Sequence, residues 1–157
     1  MNKVYNDEYY MQLALEEARK AYEEEEVPVG CVIVKDGVIL SKTHNTRQMI
    51  KSAINHAEIN AIDQACKKID SWILDGATIY VTLEPCIMCA GAIIQARIKK
   101  VVYAATEPKF GACESILNIF NHFEYKFNHE VEVVSGILKD ESTELIKSFF
   151  KTLRNKK

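Results

Sequence analysis

No apolar run in the 157-residue chain reaches the ~18 residues that a membrane helix needs, so the sequence offers no membrane span. The stretch from Met1 to Tyr10 mixes Lys3, Asp7 and Glu8 with tyrosines and lacks the apolar centre of a signal peptide, so a cytoplasmic location is the expectation. A strong charge of one sign is also missing. Net charge is −2, which removes the global basic signature of a nucleic-acid binder. The five cysteines, Cys31, Cys66, Cys86, Cys89 and Cys113, are an odd number in a chain without a secretion signal. That argues against a disulfide framework and toward metal binding or burial.

What is present is ordinary for a soluble globular protein: 48% hydrophobic and 27% charged residues, which excludes collagen-like, low-complexity and wholly disordered chains. The length fits a single domain over residues 1–157, able to bury a core without staples. Charge is less even along the chain than in total. Glu23 to Glu26 form an acidic run, while Lys147, Lys151, Arg154, Lys156 and Lys157 crowd the C-terminus. Both read first as solvated helix ends. The basic end is also a candidate local phosphate-binding patch.

Apolar spacing at Met11, Leu15, Ala18 and Tyr22 predicts a first helix with Asp7 as its N-cap. Val29–Val34 and Val38–Thr43, joined through Asp36-Gly37, predict a hairpin. After a polar stretch, Ile59, Ile62, Cys66 and Ile69 predict the inner face of a second helix. A strand over Ala77–Leu83 leads to a third helix over Cys86–Ile98, with Pro85 at its start. Lys100–Thr106 is a strand, Ser115–Asn121 a short helix, Val131–Val134 a strand, and Asp140–Arg154 a final helix with Leu145, Phe149, Phe150 and Leu153 on its apolar side. Strands alternating with helices imply a sheet covered on both faces, hence an α/β protein. Trp72 is expected to pack, and His122 to be exposed.

Two segments carry the chemistry: His56-Ala57-Glu58 and Pro85-Cys86-Ile87-Met88-Cys89, each where a helix begins. Helix N-termini favour thiolates over thiols. Cys86 and Cys89 can reach one metal from a single turn, and His56 can add an imidazole from the neighbouring helix. Two thiolates and an imidazole favour zinc. Three ligands leave a position for water, as in a catalytic site, and Cys113 is the candidate for a fourth. Cys31 and Cys66 read as core. Glu58 projects to a different side from His56 and can reach a metal-activated water without ligating, to move a proton.

His-x-Glu followed by Pro-Cys-x-x-Cys is the known signature of zinc nucleobase deaminases, and here the sequence resembles the cytidine deaminase superfamily. Within it the chain looks like the bacterial tRNA-specific adenosine deaminases over nearly its whole length. The resemblance includes Glu26-Val27-Pro28-Val29-Gly30, Asn45, Leu83-Glu84-Pro85, Arg97-Ile98, Val101-Val102-Tyr103, Asn128-His129 and Phe149-Phe150-Lys151-Thr152-Leu153-Arg154. It implies a three-layer α/β/α fold with a central mixed sheet of about five strands. It also implies hydrolysis of the wobble adenosine of a tRNA anticodon stem-loop to inosine by zinc-activated water, with zinc on His56, Cys86 and Cys89 and Glu58 as proton shuttle. By the same resemblance Asn45 would hydrogen-bond the purine, Val29 and Leu83 would pack around the flipped base, and Lys109, Phe149 and Arg154 would contact the anticodon loop of a homodimer's substrate.

Three places depart from the family pattern: Ala53-Ile54-Asn55 for Pro-Thr-Ala, Glu107-Pro108-Lys109 for Asp-Pro-Lys, and Glu114-Ser115 for Gly-Ser. They leave open a second activity of the same chemistry, deamination of free guanine, cytosine or a nucleoside such as adenosine. A third reading, a zinc-stabilised RNA-binding subunit without activity, gives Glu58 no purpose.

Overall fold

In the computed structural model, which describes all residues except Met1, Asn2, Phe123, Tyr125 and Lys157, the chain forms the following elements in order. They are α1 (Asp7–Glu23), β1 (Gly30–Lys35), β2 (Val38–His44), α2 (Arg47–Ile50), α3 (Ala57–Ile69), β3 (Thr78–Leu83), α4 (Ile87–Gln95), β4 (Lys100–Ala105), β5 (Glu132–Ser135) and α5 (Lys139–Asn155). Lys157, the last member of the basic cluster, lies outside the described residues. Among the described residues no helix is long and apolar enough to cross a membrane.

The strands make one mixed sheet in the order β2-β1-β3-β4-β5. The hairpin β1–β2 is antiparallel and turns at Asp36 and Gly37, both at positive φ, as the tight Asp-Gly connection requires. β3, β4 and β5 run parallel to one another, while β1 is antiparallel to β3. Side chains alternate across the sheet. Cys31, Ile33, Ile79, Val81, Val101 and Tyr103 join a core with α3 and α4. Val32, Val34, Tyr80, Val102 and Ala104 join a second core with α1 and the start of α5. Period-two burial on both faces is what produces the three-layer α/β/α fold.

The inner face of α3 differs from expectation. Its buried residues are Ala57, Glu58, Ala61 and Ala65, while Ile62, Cys66 and Ile69 pack at the margin. Small side chains let the helix lie close to the sheet. The closeness is pinned by two β2 hydroxyls, Thr43 donating to the Ala57 carbonyl at 2.7 Å and Ser41 to that of Ala61 at 2.9 Å. On the other face Gly30 does the same for α1. A Cβ on Gly30 would overlap the Ala14 carbonyl and lie 2.9 Å from the Glu17 Cβ.

Several local expectations are corrected. The N-cap of α1 is Asn6, whose Oδ1 accepts from the Tyr9 amide at 2.9 Å. Asp7 is engaged elsewhere, accepting from the Tyr80 hydroxyl at 2.8 Å and the Lys100 ammonium at 3.4 Å. Pro85 precedes the helix start, because Cys86 is the N-cap of α4. The expected helix over 115–121 is a series of turns and bends. Trp72 is 63% exposed; in its loop Leu74 is the residue that fills the core. His122 is half-buried, and its Nδ1 accepts from the Glu124 amide at 3.2 Å. Glu26 is not part of a solvated run. It is buried, and its two oxygens accept from the amides of Gln48 and Met49 at 2.9 and 2.7 Å, which anchors α2.

Because Gly30 is filled space, Gly30→Ala is expected to destabilise the fold by about 1–3 kcal/mol, the usual cost of overpacking. Urea unfolding with an unchanged m-value is the check, and an unchanged midpoint would refute the close approach of α1.

Candidate active site

The sheet brings four chain segments to one end. β3 and β4 finish there in parallel, with Leu83 paired to Ala105. β1 starts there, and β2 ends there, with Gly30 paired to His44. The carboxyl ends of parallel strands are where α/β folds place their sites. α3 and α4 also begin at this end. Their N-caps are His56 and Cys86, and neither side chain makes a capping hydrogen bond. His and Cys are not the residues that favour that position; both side chains are turned to one another instead.

His56 Nδ1 lies 3.6 Å from Cys86 Sγ and 3.5 Å from Cys89 Sγ. The three ligand atoms all fall within 4.8 Å of one another, a group able to hold a metal ion. Cys113 is not part of that group. It is buried in the α3/α4 core, and burial pushes its thiol up. Cys31 is likewise core, and Cys66 packs at the margin of the same core. The three donors share protons unequally. The Cys89 thiol and the His56 ring donate toward Cys86 and hold its thiol down at about 4. His56 is raised, chiefly by its hydrogen bond to Cys86.

Glu58 sits in the first turn of α3, buried, beside this group. Burial pushes its carboxyl up to about 7, against its own backbone amide and the charge of His56. A carboxyl in that range takes up and releases a proton near neutral pH. His56, Glu58 and Cys86 line a cavity of about 430 Å³, with Val29, Asn45, Leu83, Ile87 and Phe110 among its other walls. That volume is in the range of small-molecule sites, and the lining is apolar with a few polar groups, as such sites are. Asn45 is buried, with its Nδ2 donating to the Val27 carbonyl at 3.3 Å. The sequence-derived set His56, Glu58, Cys86, Asn45, Val29 and Leu83 is therefore gathered around one cavity, with Cys89 buried behind it.

A second, larger cavity of about 1010 Å³ lies against the first and shares Val27, Asn45, Arg47, Ala53 and Phe150 with it. Its far walls come from α1 and α5. Tyr22, Phe149 and the ion pair of Glu25 with Lys156 at 2.6 Å contribute, and Glu24, Glu26 and Lys51 line the same cavity. Of the three residues expected to meet a large substrate, Phe149 is buried edge-on against Tyr22, and its neighbour Phe150 faces both cavities. Lys109 and Arg154 are exposed and line neither cavity.

Sequence reasoning missed Glu84. It is buried, and its carboxylate accepts from the amides of Glu107, Cys113, Glu114 and Ser115 at 2.9–3.0 Å and from the Ser115 hydroxyl. Burial works to raise its carboxyl, and those donors hold it below the usual carboxylate range. The only signal in the sequence was its place next to Pro85-Cys86, and four backbone donors leave no residue-type signature. Glu114, one of the departing positions, is exposed and accepts from the Tyr103 hydroxyl. His44 bridges Glu17 at 3.0 Å and Glu24 at 2.7 Å, and His129 donates to the Ile98 carbonyl at 2.6 Å.

A family model described as MafB19-like deaminase matches residues 5–154. The chain is 48% identical over 151 residues to the tRNA-specific adenosine deaminase of Bacillus subtilis, covering 96% of this chain and 92% of that protein. A structure from a study of A-to-I editing by tRNA:A34 deaminases at the wobble position of transfer RNA superposes with a TM-score of 0.83 at 43% identity, covering 87% of this chain and 98% of the other. The guanine deaminase of Bacillus subtilis superposes with a TM-score of 0.63 at 32% identity, over 75% of this chain and 86% of the other.

Occupation of the three-donor group by a metal is expected to change cysteine reactivity. In chelator-treated protein, half-buried Cys86 alkylates ahead of buried Cys31, Cys89 and Cys113. Adding Zn²⁺ first is expected to protect it, and His56→Ala to abolish the protection. Site-resolved mass spectrometry reads the result; alkylation of Cys86 at the same rate with and without metal would remove the metal assignment.

Proposed function

The chain belongs to the MafB19-like deaminases and to the tRNA-specific adenosine deaminases, and from that premise we propose that it hydrolyses the wobble adenosine of a tRNA anticodon to inosine and ammonia. The observation that carries the reading is the pairing of two cavities. A base-sized chamber holding His56, Glu58 and Cys86 opens beside a groove large enough for the flanking nucleotides, with Asn45, Arg47 and Phe150 common to both. Enzymes acting on a base in a nucleic acid must extrude it into such a chamber while the strand lies outside.

The resident metal is zinc on His56, Cys86 and Cys89, and the donor set fits: two thiolates and one imidazole, with no fourth protein ligand in the group. Bound there, zinc supplies the Lewis acidity that makes water nucleophilic at neutral pH. The other steps belong to the chain's own residues. Glu58 takes a proton from the attacking water and delivers it to the purine ring nitrogen next to C6. It then moves the proton of the hydroxyl added at C6 to the amine, so that the C6–N bond breaks, ammonia departs and a carbonyl oxygen remains on C6. The buried setting that raises Glu58 suits a group that must hold a proton between those two events. The Asn45 side chain hydrogen-bonds the purine edge, and Val29 and Leu83 pack on its faces.

The groove takes the anticodon loop. Arg47 and Lys51 lie on its wall, and Lys109 and Arg154, exposed outside both cavities, are offered to phosphates. Phe150, with Phe149 held behind it, offers a ring to a neighbouring base. The exposed apolar side chains Met49, Ile87 and Phe110 around the openings are the surface a second copy of the chain would cover, in support of a homodimer. The place of action is the cytoplasm, where such a substrate is found.

A second reading has one observation in its favour: the likeness to a guanine deaminase, with the base chamber common to both uses. The groove is what argues against it, since a free base needs no such path.

Zinc-loaded protein is expected to convert an anticodon stem-loop RNA carrying wobble adenosine to inosine, seen as a one-unit mass gain, and to leave free guanine, cytosine and adenosine unchanged. Turnover of a free base alone would favour the second reading. Glu58→Gln is expected to lower kcat by about 10²–10⁴-fold, the usual worth of a positioned acid–base group, with zinc content unaltered. Activity surviving that change would overturn the proton-transfer assignment.

A further inference from the structure

We propose that Glu84 is a positioning residue for substrate recognition: its buried carboxylate folds the segment from Glu107 to Ser115 into the wall of the base chamber. The inference rests on the deaminase reading of that chamber and adds to it a lining residue whose carboxylate oxygens are engaged by the wall segment.

The carboxylate is an anion without an ionic partner. No ion pair among the described residues includes it. It is compensated by donors from one short segment only: four backbone amides, at residues 107, 113, 114 and 115, and the Ser115 hydroxyl. A buried carboxylate ringed by amides imposes a fold on the chain that supplies them, because releasing any one leaves charge uncompensated. The segment wraps so closely that a Cβ on Gly111 would fall inside the carboxylate.

The same segment carries two chamber walls, Glu107 and Phe110. It is also tied to the metal-bearing turn. Gly111 pairs with Cys86 in an isolated antiparallel bridge, and the Ala112 amide donates to the Pro85 carbonyl at 2.9 Å. Glu84 itself is fixed from behind, its amide donating to the Ala105 carbonyl at 2.8 Å at the end of β4. One side chain thus sets the distance between the strand ends and the ring of Phe110. Phe110 is 71% exposed in the single chain, so its place relative to the chamber follows from the backbone that carries it.

Three variants test this: Glu84→Gln, Ser115→Ala and Gly111→Ala. Wild-type protein is first assayed on the stem-loop RNA; if it neither binds nor edits, it is the deaminase reading that fails. With editing established, Glu84→Gln is expected to raise KM by roughly tenfold while kcat falls much less, with one zinc per chain retained. The same loss is expected in the RNA Kd, measured by fluorescence anisotropy with Glu58→Ala in both proteins to prevent turnover. Hydrogen exchange at the amides of residues 113–115 is expected to speed up. Gly111→Ala is expected to match this profile and to add little to Glu84→Gln in the double variant, because both undo one contact. Ser115→Ala is expected to give a smaller shift of the same kind. Unchanged KM and Kd in folded, zinc-loaded Glu84→Gln would overturn the proposal, as would loss of zinc and kcat with Kd preserved. If Glu84→Gln does not fold, Ser115→Ala decides: an unchanged Kd with unchanged exchange overturns it.

Discussion

Everything at the functional end of this protein depends on one imidazole nitrogen facing two sulfurs. That geometry asks for α3 and α4 to begin at the same end of the sheet, with their N-caps a few ångströms apart. It also asks those N-caps to give up capping. Asn, Asp or Ser at either position would have satisfied the free amides of the first turn, worth about 1 kcal/mol each. The chain instead places His56 and Cys86 there, so each helix start is less well capped than its sequence could have made it. The compensation comes from the helix dipole, which favours negative charge on sulfur at that end.

Bringing two helix starts so close requires the helices to hug the sheet, and the core chemistry follows from that. Ala57, Ala61 and Ala65 present almost no bulk to β2, and the Ser41 and Thr43 hydroxyls are spent on helix carbonyls rather than on each other. On the opposite face Gly30 lets α1 reach the strand backbone. The large apolar residues lie mainly on the strands, where alternation divides them between the two cores. Stability and site geometry therefore draw on the same small-residue contacts.

This division explains what could be read from the sequence. The hairpin was legible because Asp36-Gly37 is a local signal, and the parallel strands because β-branched runs are. His56, Glu58, Cys86 and Cys89 were legible because a metal-ligand spacing survives as a spacing. The inner face of α3 was misread, since isoleucines mark a core by size while the true contact surface is marked by smallness. The helix expected at 115–121 is absent because its amides are taken by earlier parts of the chain: Ser115 donates to Glu84, Ile116 and Leu117 to the Gly111 carbonyl, and Ile119 to that of Ala112. Trp72, before a strand, is expected to pack, yet Leu74 is the residue of that loop that is buried. Contacts made by backbone amides to a distant carboxylate leave no trace in residue type, which is why Glu26 and Glu84 passed as ordinary surface and motif residues.

Three of the buried glutamates, Glu26, Glu58 and Glu84, show how the fold separates structure from chemistry. Each carries the same cost of leaving water, and a carboxylate in a protein interior is tolerated only with donors around it. Glu26 meets two amides of α2, and Glu84 meets four amides and a hydroxyl. Glu84 is thereby held anionic and inert. Glu58 is given far less: its own backbone amide and the nearby His56 do not offset burial, and its carboxyl rises to about 7. A proton carrier has to be left unsatisfied in this way, since a fully compensated carboxylate would never accept the proton it must pass on. The generosity of donors around Glu84 and their scarcity around Glu58, in the first turn of α3, are two uses of one physical rule. The first fixes the wall of the chamber, and the second leaves one group inside it free to react.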